Sequence, residues 1–209
     1  MRALWIWAAA IALYGLFALW YDNWSGPLAT EEIEIYLARL EETDRDPERL
    51  ARMRAFLEAD DGGEFFMVNL IRLHEGEVSV PGSGEPARPA AEVLGVYTGY
   101  VLPAMFRRAG HPAFFASAAG GYVDDWGVEA DPGWTAAGVV RYRSRRDLME
   151  MATDPAFEPA HAYKIAAMAS TLAFPAAPIR IFVGPRVWVG LGIALLAALA
   201  QLALGARRT

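Results

Sequence analysis

Side chains that carry acid–base chemistry are few in this chain. Its three histidines, at positions 74, 111 and 161, are scattered, and no two of them have the spacing of metal ligands on a helix. His161 is the best candidate for a catalytic acid or base, because it falls on a predicted helix that covers a sheet, where a partly buried imidazole titrates near neutral pH. The alternative is a helix histidine with a structural role. No metal and no cofactor are predicted.

A second group of residues could line a pocket for a small molecule. It consists of three polar side chains that interrupt apolar strands and four aromatic side chains predicted near them: Asn69, Arg72, Arg141, Tyr97, Tyr100, Trp134 and Tyr142. An apolar pocket with a few convergent polar groups is the usual form of a small-ligand site. The alternative is that the aromatic residues are core and that the arginines end in water at a sheet edge.

Several classes of chemistry are excluded by the sequence. It contains no P-loop, dinucleotide fingerprint, G-x-S-x-G elbow or H-E-x-x-H motif. It has no cysteine, which excludes a thiol nucleophile, a disulfide and a thiolate metal site. Four acidic residues fall in a predicted hairpin loop, where a solvated turn is favoured over a divalent cation site: Asp124, Asp125, Glu129 and Asp131.

The charge balance argues against a nucleic-acid partner. Residues 22–180 hold all 25 acidic side chains but only 15 of the 19 basic ones, which gives this stretch a formal charge of −10. Binding to nucleic acid requires basic side chains that displace counterions from phosphates. Hydrophobic residues make up 55% of the chain and are concentrated at its two ends.

Both ends of the chain have the composition of transmembrane helices. Residues 3–21 and 187–206 carry no charge, and at 1.5 Å per residue the first of them reaches ~28 Å, about the thickness of a hydrocarbon core. A cleaved signal peptide is the alternative for 3–21, but no A-x-A-like site follows it, which favours a signal anchor. In the second span, Gly190, Ala194 and Ala198 are spaced four apart, a weak pattern for close helix contact.

Two spans would place both termini on the same side of the membrane. Arg2 at one end and Arg207 and Arg208 at the other favour the cytoplasm for the termini, although Arg180 and Arg186 act in the opposite sense. The sequence therefore predicts an integral protein of a bacterial-type inner membrane with a periplasmic domain between its two spans.

Residues 22–63 are predicted to connect the first span to this domain through two amphipathic helices. Thr30 can cap the first helix. Asp46 caps the second, which has Pro47 in its first position and ends before Gly62 and Gly63. Both helices are short, so we expect them to pack on the domain or on each other.

Residues 64–180 alternate between strand and helix patterns. The strand at 65–73 is apolar at both alternate sets of positions, which predicts cover on both of its faces. It is followed by a helix at 89–108 and by strands at 114–123 and 134–142. Ser144 then caps a helix that restarts at Asp154 and Pro155 and extends to 168, and a short strand at 171–174 comes last. The order βαββαβ predicts an α+β fold of the ferredoxin-like type.

Several motifs in this domain resemble the DUF1330 group of the dimeric α/β-barrel superfamily. They are FFMVNLIRL at 65–73, Tyr97 and Tyr100 with VLP and Arg107, VVRYRSRRDLMEMATDP at 139–155, and HAYK at 161–164 with Thr171. The resemblance covers about half of the chain. It implies a four-stranded antiparallel sheet with helices on one face, and a homodimer in which two sheets pair face to face. The two spans and the connecting helices depart from the short, soluble members of that group.

Two kinds of function follow as hypotheses. The first is a membrane-anchored homodimeric module that binds a small apolar or aromatic molecule, or a membrane-protein partner. The second is implied by the resemblance alone: a cofactor-independent enzyme of the monooxygenase or isomerase type, with His161 as acid or base and Asn69 or Arg72 beside an oxyanion. Convergence of these three residues on one cavity would favour the enzyme.

Overall fold

The computed structural model describes residues 2–43, 45–179 and 184–206. Arg180, Arg207, Arg208 and the predicted end of the domain at 180 lie outside the described residues. The chain forms two compact units, Met1–Trp24 with Pro178–Thr209, and Ser25–Ala177.

The described residues form seven α-helices and six strands. The helices are α1 (Arg2–Tyr21), α2 (Thr30–Thr43), α3 (Pro47–Glu58), α4 (Ala90–Arg107), α5 (Arg145–Ala152), α6 (Glu158–Ala167) and α7 (Pro185–Ala206). The strands are β1 (Phe65–Leu73), β2 (Glu77–Val78), β3 (Arg88–Pro89), β4 (His111–Ser117), β5 (Ala136–Tyr142) and β6 (Met168–Ala176). A 3₁₀ turn at Pro155–Phe157 precedes α6.

The first unit is a pair of apolar helices, α1 and α7. Both are long and apolar enough to cross a membrane, with mean hydropathies of 1.9 and 2.2. Trp7 Nε1 donates a hydrogen bond to Gln201 Oε1 at 2.8 Å, so the one strongly polar side chain between positions 187 and 206 has a partner on α1. Gly190 lies against Tyr14, since a Cβ at this glycine would be 3.3 Å from the ring. The first residue of the predicted small-residue row therefore does allow close helix contact.

The second unit contains an antiparallel sheet with the strand order β4-β5-β1-β6. β1 lies between β5 and β6, with Phe65 opposite Tyr142 on one side and Val68 opposite Phe174 on the other. Helix α4 joins β1 to β4, and α5 and α6 join β5 to β6. This is the ferredoxin-like βαββαβ topology, and the predicted fold class is confirmed.

Two of the predicted strands have different boundaries in the structure, because the length of a strand depends on where its partner strand begins and ends. The second strand was expected at 114–123 but runs from His111 to Ser117, because Ser117 already pairs with Ala136, the first residue of β5. The last strand is longer than 171–174, because β1 offers pairing partners along its whole length. Between the predicted strand at 65–73 and α4 the structure adds the short β2–β3 ribbon, which the sequence does not predict.

Helices cover one face of the sheet. Phe65 stacks on Tyr142 with ring centroids 5.3 Å apart, and Phe56 of α3 meets Phe65 edge-on at 5.3 Å. Because side chains alternate between the two faces of a strand, Met67, Asn69, Ile71 and Leu73 lie on the same side as Phe65. We call this side the helix face.

The opposite face of the sheet is mostly apolar and partly exposed. It carries Phe66, Val68 and Leu70 of β1, which lie opposite Ala176, Phe174 and Leu172 of β6. Leu172 and Phe174 each expose 47% of their surface, and Phe114 of β4 exposes 56%. We call this side the open face.

The connecting helices α2 and α3 pack on the domain rather than standing apart from it. Leu37 and Leu57 form a buried cluster with Met149 of α5. Two arginines of α5 add polar contacts: Arg146 donates to Glu32 at 2.8 and 2.9 Å, and Arg145 pairs with Asp60 and donates to the Phe56 carbonyl. The guanidinium of Arg146 lowers the pKa of Glu32 from 4.5 to about 2.

The variant Glu32→Gln is expected to lose about 1 kcal/mol of stability at neutral pH, a modest figure because the pair is partly exposed. A carboxylate whose pKa is lowered in the folded state stabilises above its unfolded pKa and loses that effect as the pH falls. The difference between the variant and the wild type should therefore shrink between pH 4.5 and about pH 2. Thermal unfolding of the full chain in detergent, followed by circular dichroism across this range, measures it.

Glu31→Gln is the matched control, since it makes the same change one residue away, where no ion pair is formed in the described structure. It should leave the unfolding temperature unchanged. Equal effects of the two variants at neutral pH would show that the Arg146 pair does not stabilise the connection.

Candidate functional site

The helix face of the sheet holds the group of side chains best suited to bind a ligand. Tyr97 of α4 packs against Val140 and Tyr142 of β5 in one apolar cluster and joins a second cluster that includes Tyr163 of α6. The Nζ atom of Lys164, also on α6, lies 5.8 Å from the centroid of the Tyr97 ring. This places an amine between the two helices, beside an aromatic ring.

Lys164 makes no hydrogen bond or ion pair in the part of the chain that the structure describes. Its only contact with a charged or aromatic partner there is the one with Tyr97. Burial lowers the pKa of Lys164, because removal from water disfavours the charged ammonium. An unpaired, partly buried lysine is costly to keep in a fold, which makes it a candidate for function.

Two phenols lie in the same layer. Burial raises the pKa of Tyr97, and burial together with the nearby Tyr97 raises the pKa of Tyr142. Both hydroxyls therefore stay protonated near neutral pH and can donate a hydrogen bond. Within the described residues neither hydroxyl has a protein partner, so both remain available to a ligand.

Asn69 supplies an acceptor on the same face. Its Nδ2 donates to the carbonyl of Met67 at 3.0 Å and to that of Gly138 at 3.4 Å, which leaves Oδ1 without a partner among the described residues. Gly138 lies directly opposite in β5 and presents no side chain. The ring of Phe115 lies over Gly138, since a Cβ added to this glycine would be 3.0 Å from the ring.

Three of the seven predicted pocket residues thus share the helix face: Asn69, Tyr97 and Tyr142. Together with Lys164 they offer one amine, two hydroxyl donors and one carbonyl acceptor in an aromatic and apolar setting. No described carboxylate contacts Lys164. Such a set suits an apolar or aromatic molecule with a small polar group.

Lys164 was not among the residues selected from the sequence, although the sequence does mark it. It is the only lysine of the chain, and the other 18 basic residues are arginines. A guanidinium stays protonated, whereas a lysine amine loses its proton when it is desolvated.

His161 occupies the outer side of α6. Its imidazole is solvent-exposed, and its pKa is lowered by partial removal from water and by the positive charges of Lys164 and Arg49. Arg72 lies on the open face, opposite Ser170. The structure therefore does not bring His161, Asn69 and Arg72 into one cavity.

The remaining predicted pocket residues lie elsewhere. Arg141 is 1% exposed, and it donates to Glu64 at 2.6 Å and to the Ala109 carbonyl at 2.7 Å. Tyr100 is exposed on α4. Trp134 lies in the loop between β4 and β5, where its Nε1 donates to the Tyr122 hydroxyl at 3.1 Å.

The acidic loop between β4 and β5 is organised by its own backbone. Asp131 accepts hydrogen bonds from the backbone N–H groups of Tyr122 at 2.9 Å and Gly133 at 2.8 Å, and these bonds lower its pKa. The described residues contain no group of three or more histidine, aspartate or glutamate side chains that could hold a metal. The carboxylate of Asp131 is thus accounted for by the turn itself.

Comparison with solved structures agrees with the fold. No known protein family matches the sequence, and no curated protein is similar to it. The chain is similar to RPA0582, a protein of unknown function from Rhodopseudomonas palustris, at 24% identity and a TM-score of 0.52, over 66% of this chain and 97% of that one. The methylated form of RPA0582 gives 23% identity and a TM-score of 0.52, over 67% and 96%. At this identity the similarity shows the fold alone.

A weaker similarity involves a dimeric protein of unknown function and ferredoxin-like fold from Bacteroides fragilis. It has 14% identity and a TM-score of 0.33, over 56% of this chain and 97% of that one. A similarity this low carries no argument about assembly.

Proposed function

We propose that this chain is a membrane-anchored, homodimeric ferredoxin-like protein that binds a small apolar or aromatic molecule between its helices and its sheet. The observation that carries the proposal is Lys164, which lies over Tyr97 inside the helix layer with no carboxylate partner among the described residues. The unpaired groups of Asn69, Tyr97 and Tyr142 support the same position. They provide the few polar contacts that fix a ligand's orientation in an apolar site.

The open face supports the proposed homodimer. A monomer would leave Leu172, Phe174 and Phe114 in contact with water on one side of the sheet. Contiguous apolar surface of this kind usually marks an interaction site. A second copy of the chain offers the same apolar face, and pairing of two identical patches gives a closed twofold dimer.

The two terminal helices support attachment to a lipid bilayer. Each is long and apolar enough to cross it, and α1 and α7 expose leucine and tryptophan side chains along their length. We place both termini in the cytoplasm and the ferredoxin-like unit in the periplasm of a bacterial-type inner membrane. We also propose that the chain is a divergent relative of the DUF1330 group, with 64–180 as its ferredoxin-like domain and 22–63 as its connector.

A second candidate is an enzyme of the cofactor-independent, dimeric α/β-barrel type. The observation that favours it is the lowered pKa of Lys164 beside phenols whose pKa values are raised. An amine with a lowered pKa and protonated phenols are groups that can exchange protons with a bound substrate. A partner membrane protein, rather than a small molecule, is the third possibility left from the sequence.

Native mass spectrometry of the detergent-purified protein tests the proposed function. The wild type is expected to retain a small molecule that is released on denaturation and identified by its mass. Lys164→Met should lose most of this molecule, because the variant removes the amine beside Tyr97 while keeping the length of the side chain. Arg107→Met, on the exposed end of α4, is the control and should retain it.

A wild-type protein that carries no small molecule, and binds none from a set of aromatic acids, alcohols and aldehydes, would contradict the proposal. Equal retention by Lys164→Met and the wild type would place the molecule elsewhere.

A further inference from the structure

We propose that Lys164 captures a carbonyl compound, an aldehyde or ketone with an apolar or aromatic body, as an imine. The inference rests on the proposed function, because the carbonyl compound would occupy the same position between α4, α6 and the sheet. It adds the chemical class of the ligand's polar group and the covalent step that holds it.

The amine of Lys164 is prepared for this chemistry by its surroundings. It lies 5.8 Å from the centroid of the Tyr97 ring and forms no ion pair with any described carboxylate. Burial favours its neutral form, and only the neutral amine has a free electron pair for attack. A lysine paired with an acid at the surface would remain charged and unreactive at neutral pH.

The capture balances without an external oxidant or reductant. The nitrogen electron pair attacks the carbonyl carbon, a C–N bond forms, and one of the two amine protons passes to the carbonyl oxygen to give a carbinolamine. The second amine proton then passes to the hydroxyl group, the C–O bond breaks, and water leaves as the C=N bond of the imine forms. Water added back to the imine releases the original amine and carbonyl compound.

Neighbouring groups support both steps. The hydroxyls of Tyr97 and Tyr142 are protonated at neutral pH and have no described protein partner, so a phenol is available to donate a hydrogen bond to the carbonyl oxygen. The aromatic rings of the same residues provide an apolar wall for the body of the ligand. Arginine could not replace lysine in this role, because its guanidinium remains protonated.

The composition of the chain makes the test unusually direct. Lys164 is the only lysine, so a lysine adduct has a single possible site in the wild type. The variant Arg107→Lys introduces a second lysine at an exposed position that forms no ion pair in the described structure. Both lysines are then compared within one folded molecule, without any change at position 164.

The experiment treats the full-length Arg107→Lys protein in detergent with benzaldehyde and sodium cyanoborohydride at neutral pH. The borohydride reduces the imine to a stable benzylamine, and peptide mapping by mass spectrometry gives the labelling rate at each lysine. We expect Lys164 to be labelled at least severalfold faster than the introduced lysine, because burial lowers the pKa of Lys164 and so raises the fraction of its neutral amine. Labelling of Lys164 at an equal or lower rate would overturn the proposal.

A second measurement separates this inference from the proposed function. The wild type and Lys164→Arg are both examined by native mass spectrometry with benzaldehyde and with benzyl alcohol, without reductant. Binding of both probes by both proteins, with no selective labelling of Lys164, would leave a noncovalent site and overturn the imine. Absence of binding by either probe together with selective labelling would support the reactive amine and count against the proposed pocket.

Discussion

Arg141→Met is expected to destabilise the ferredoxin-like unit by about 3–5 kcal/mol, the range found when one partner of a buried ion pair is removed. Arg141 is 1% exposed, and the Glu64 side chain with which it pairs is 14% exposed. The variant removes the guanidinium that donates to this carboxylate and to the Ala109 carbonyl. The loss of so large a share of a domain's stability would also reduce the yield of folded protein.

The experiment is thermal and urea unfolding of the full chain in detergent. Arg72→Met is the control, because Arg72 is also a strand arginine but is exposed and has no hydrogen bond or ion pair in the described structure. It should change stability by less than about 0.5 kcal/mol. The double variant Glu64→Gln with Arg141→Met should recover part of the loss, because a buried neutral amide costs less than a buried carboxylate that has lost its guanidinium.

A cost below about 1 kcal/mol for Arg141→Met would contradict the structural role of this pair. Such a result, combined with lost ligand binding, would instead favour the sequence-based prediction that Arg141 belongs to the pocket. Retained binding in a destabilised protein supports the structural role.

Phe174→Glu is expected to convert the proposed homodimer into monomers and to weaken association about a hundredfold or more, because it would bury an unpaired charge at the centre of the interface. Phe174 lies opposite Val68 on the open face and is 47% exposed in the single chain. The fold of the monomer should tolerate the change. Sedimentation of the detergent-solubilised protein over a range of concentrations measures the effect.

Phe106→Glu is a closely matched control for this variant. Phe106 is a phenylalanine of almost equal exposure, 49%, but it lies on α4, away from the open face. Its replacement should leave the association constant unchanged. A wild-type protein that remains monomeric, or a Phe174→Glu variant that still forms dimers, would contradict pairing through the open face.

The fold was predictable from the sequence because the apolar patterns of its main elements are strong. Phe65–Leu73 was assigned from apolar residues at both alternate positions, and this strand does lie between two others in the sheet. The caps at Asp46 and Ser144 accept the expected backbone hydrogen bonds and mark the starts of α3 and α5. Strand ends were harder to predict, since the partner strand decides where pairing stops.

The candidate site was only partly predictable. Polar residues inside strands were correctly noticed, but the sequence does not tell which face each one occupies or what it pairs with. Asn69 and Arg72 are three residues apart and therefore point to opposite faces. Arg141 donates to the carboxylate of Glu64, a residue 77 positions earlier in the chain.

Lys164 was not predicted as a site residue, because the residues around it in the sequence form no catalytic or binding motif. Its significance depends on two facts that a local pattern does not contain: the position of α6 over the sheet, and the absence of any other lysine in the chain. The second of these facts is a property of the whole composition, so a count of each basic residue type is enough to single out this position.

The most direct test of a ligand site on the helix face is a crystal structure of the full chain purified in mild detergent from its native source. We predict non-protein electron density between α4, α6 and the sheet, within bonding or hydrogen-bonding distance of Lys164 Nζ and close to Asn69 Oδ1. A structure in which protein side chains fill this space and Lys164 is paired with a carboxylate would contradict the account.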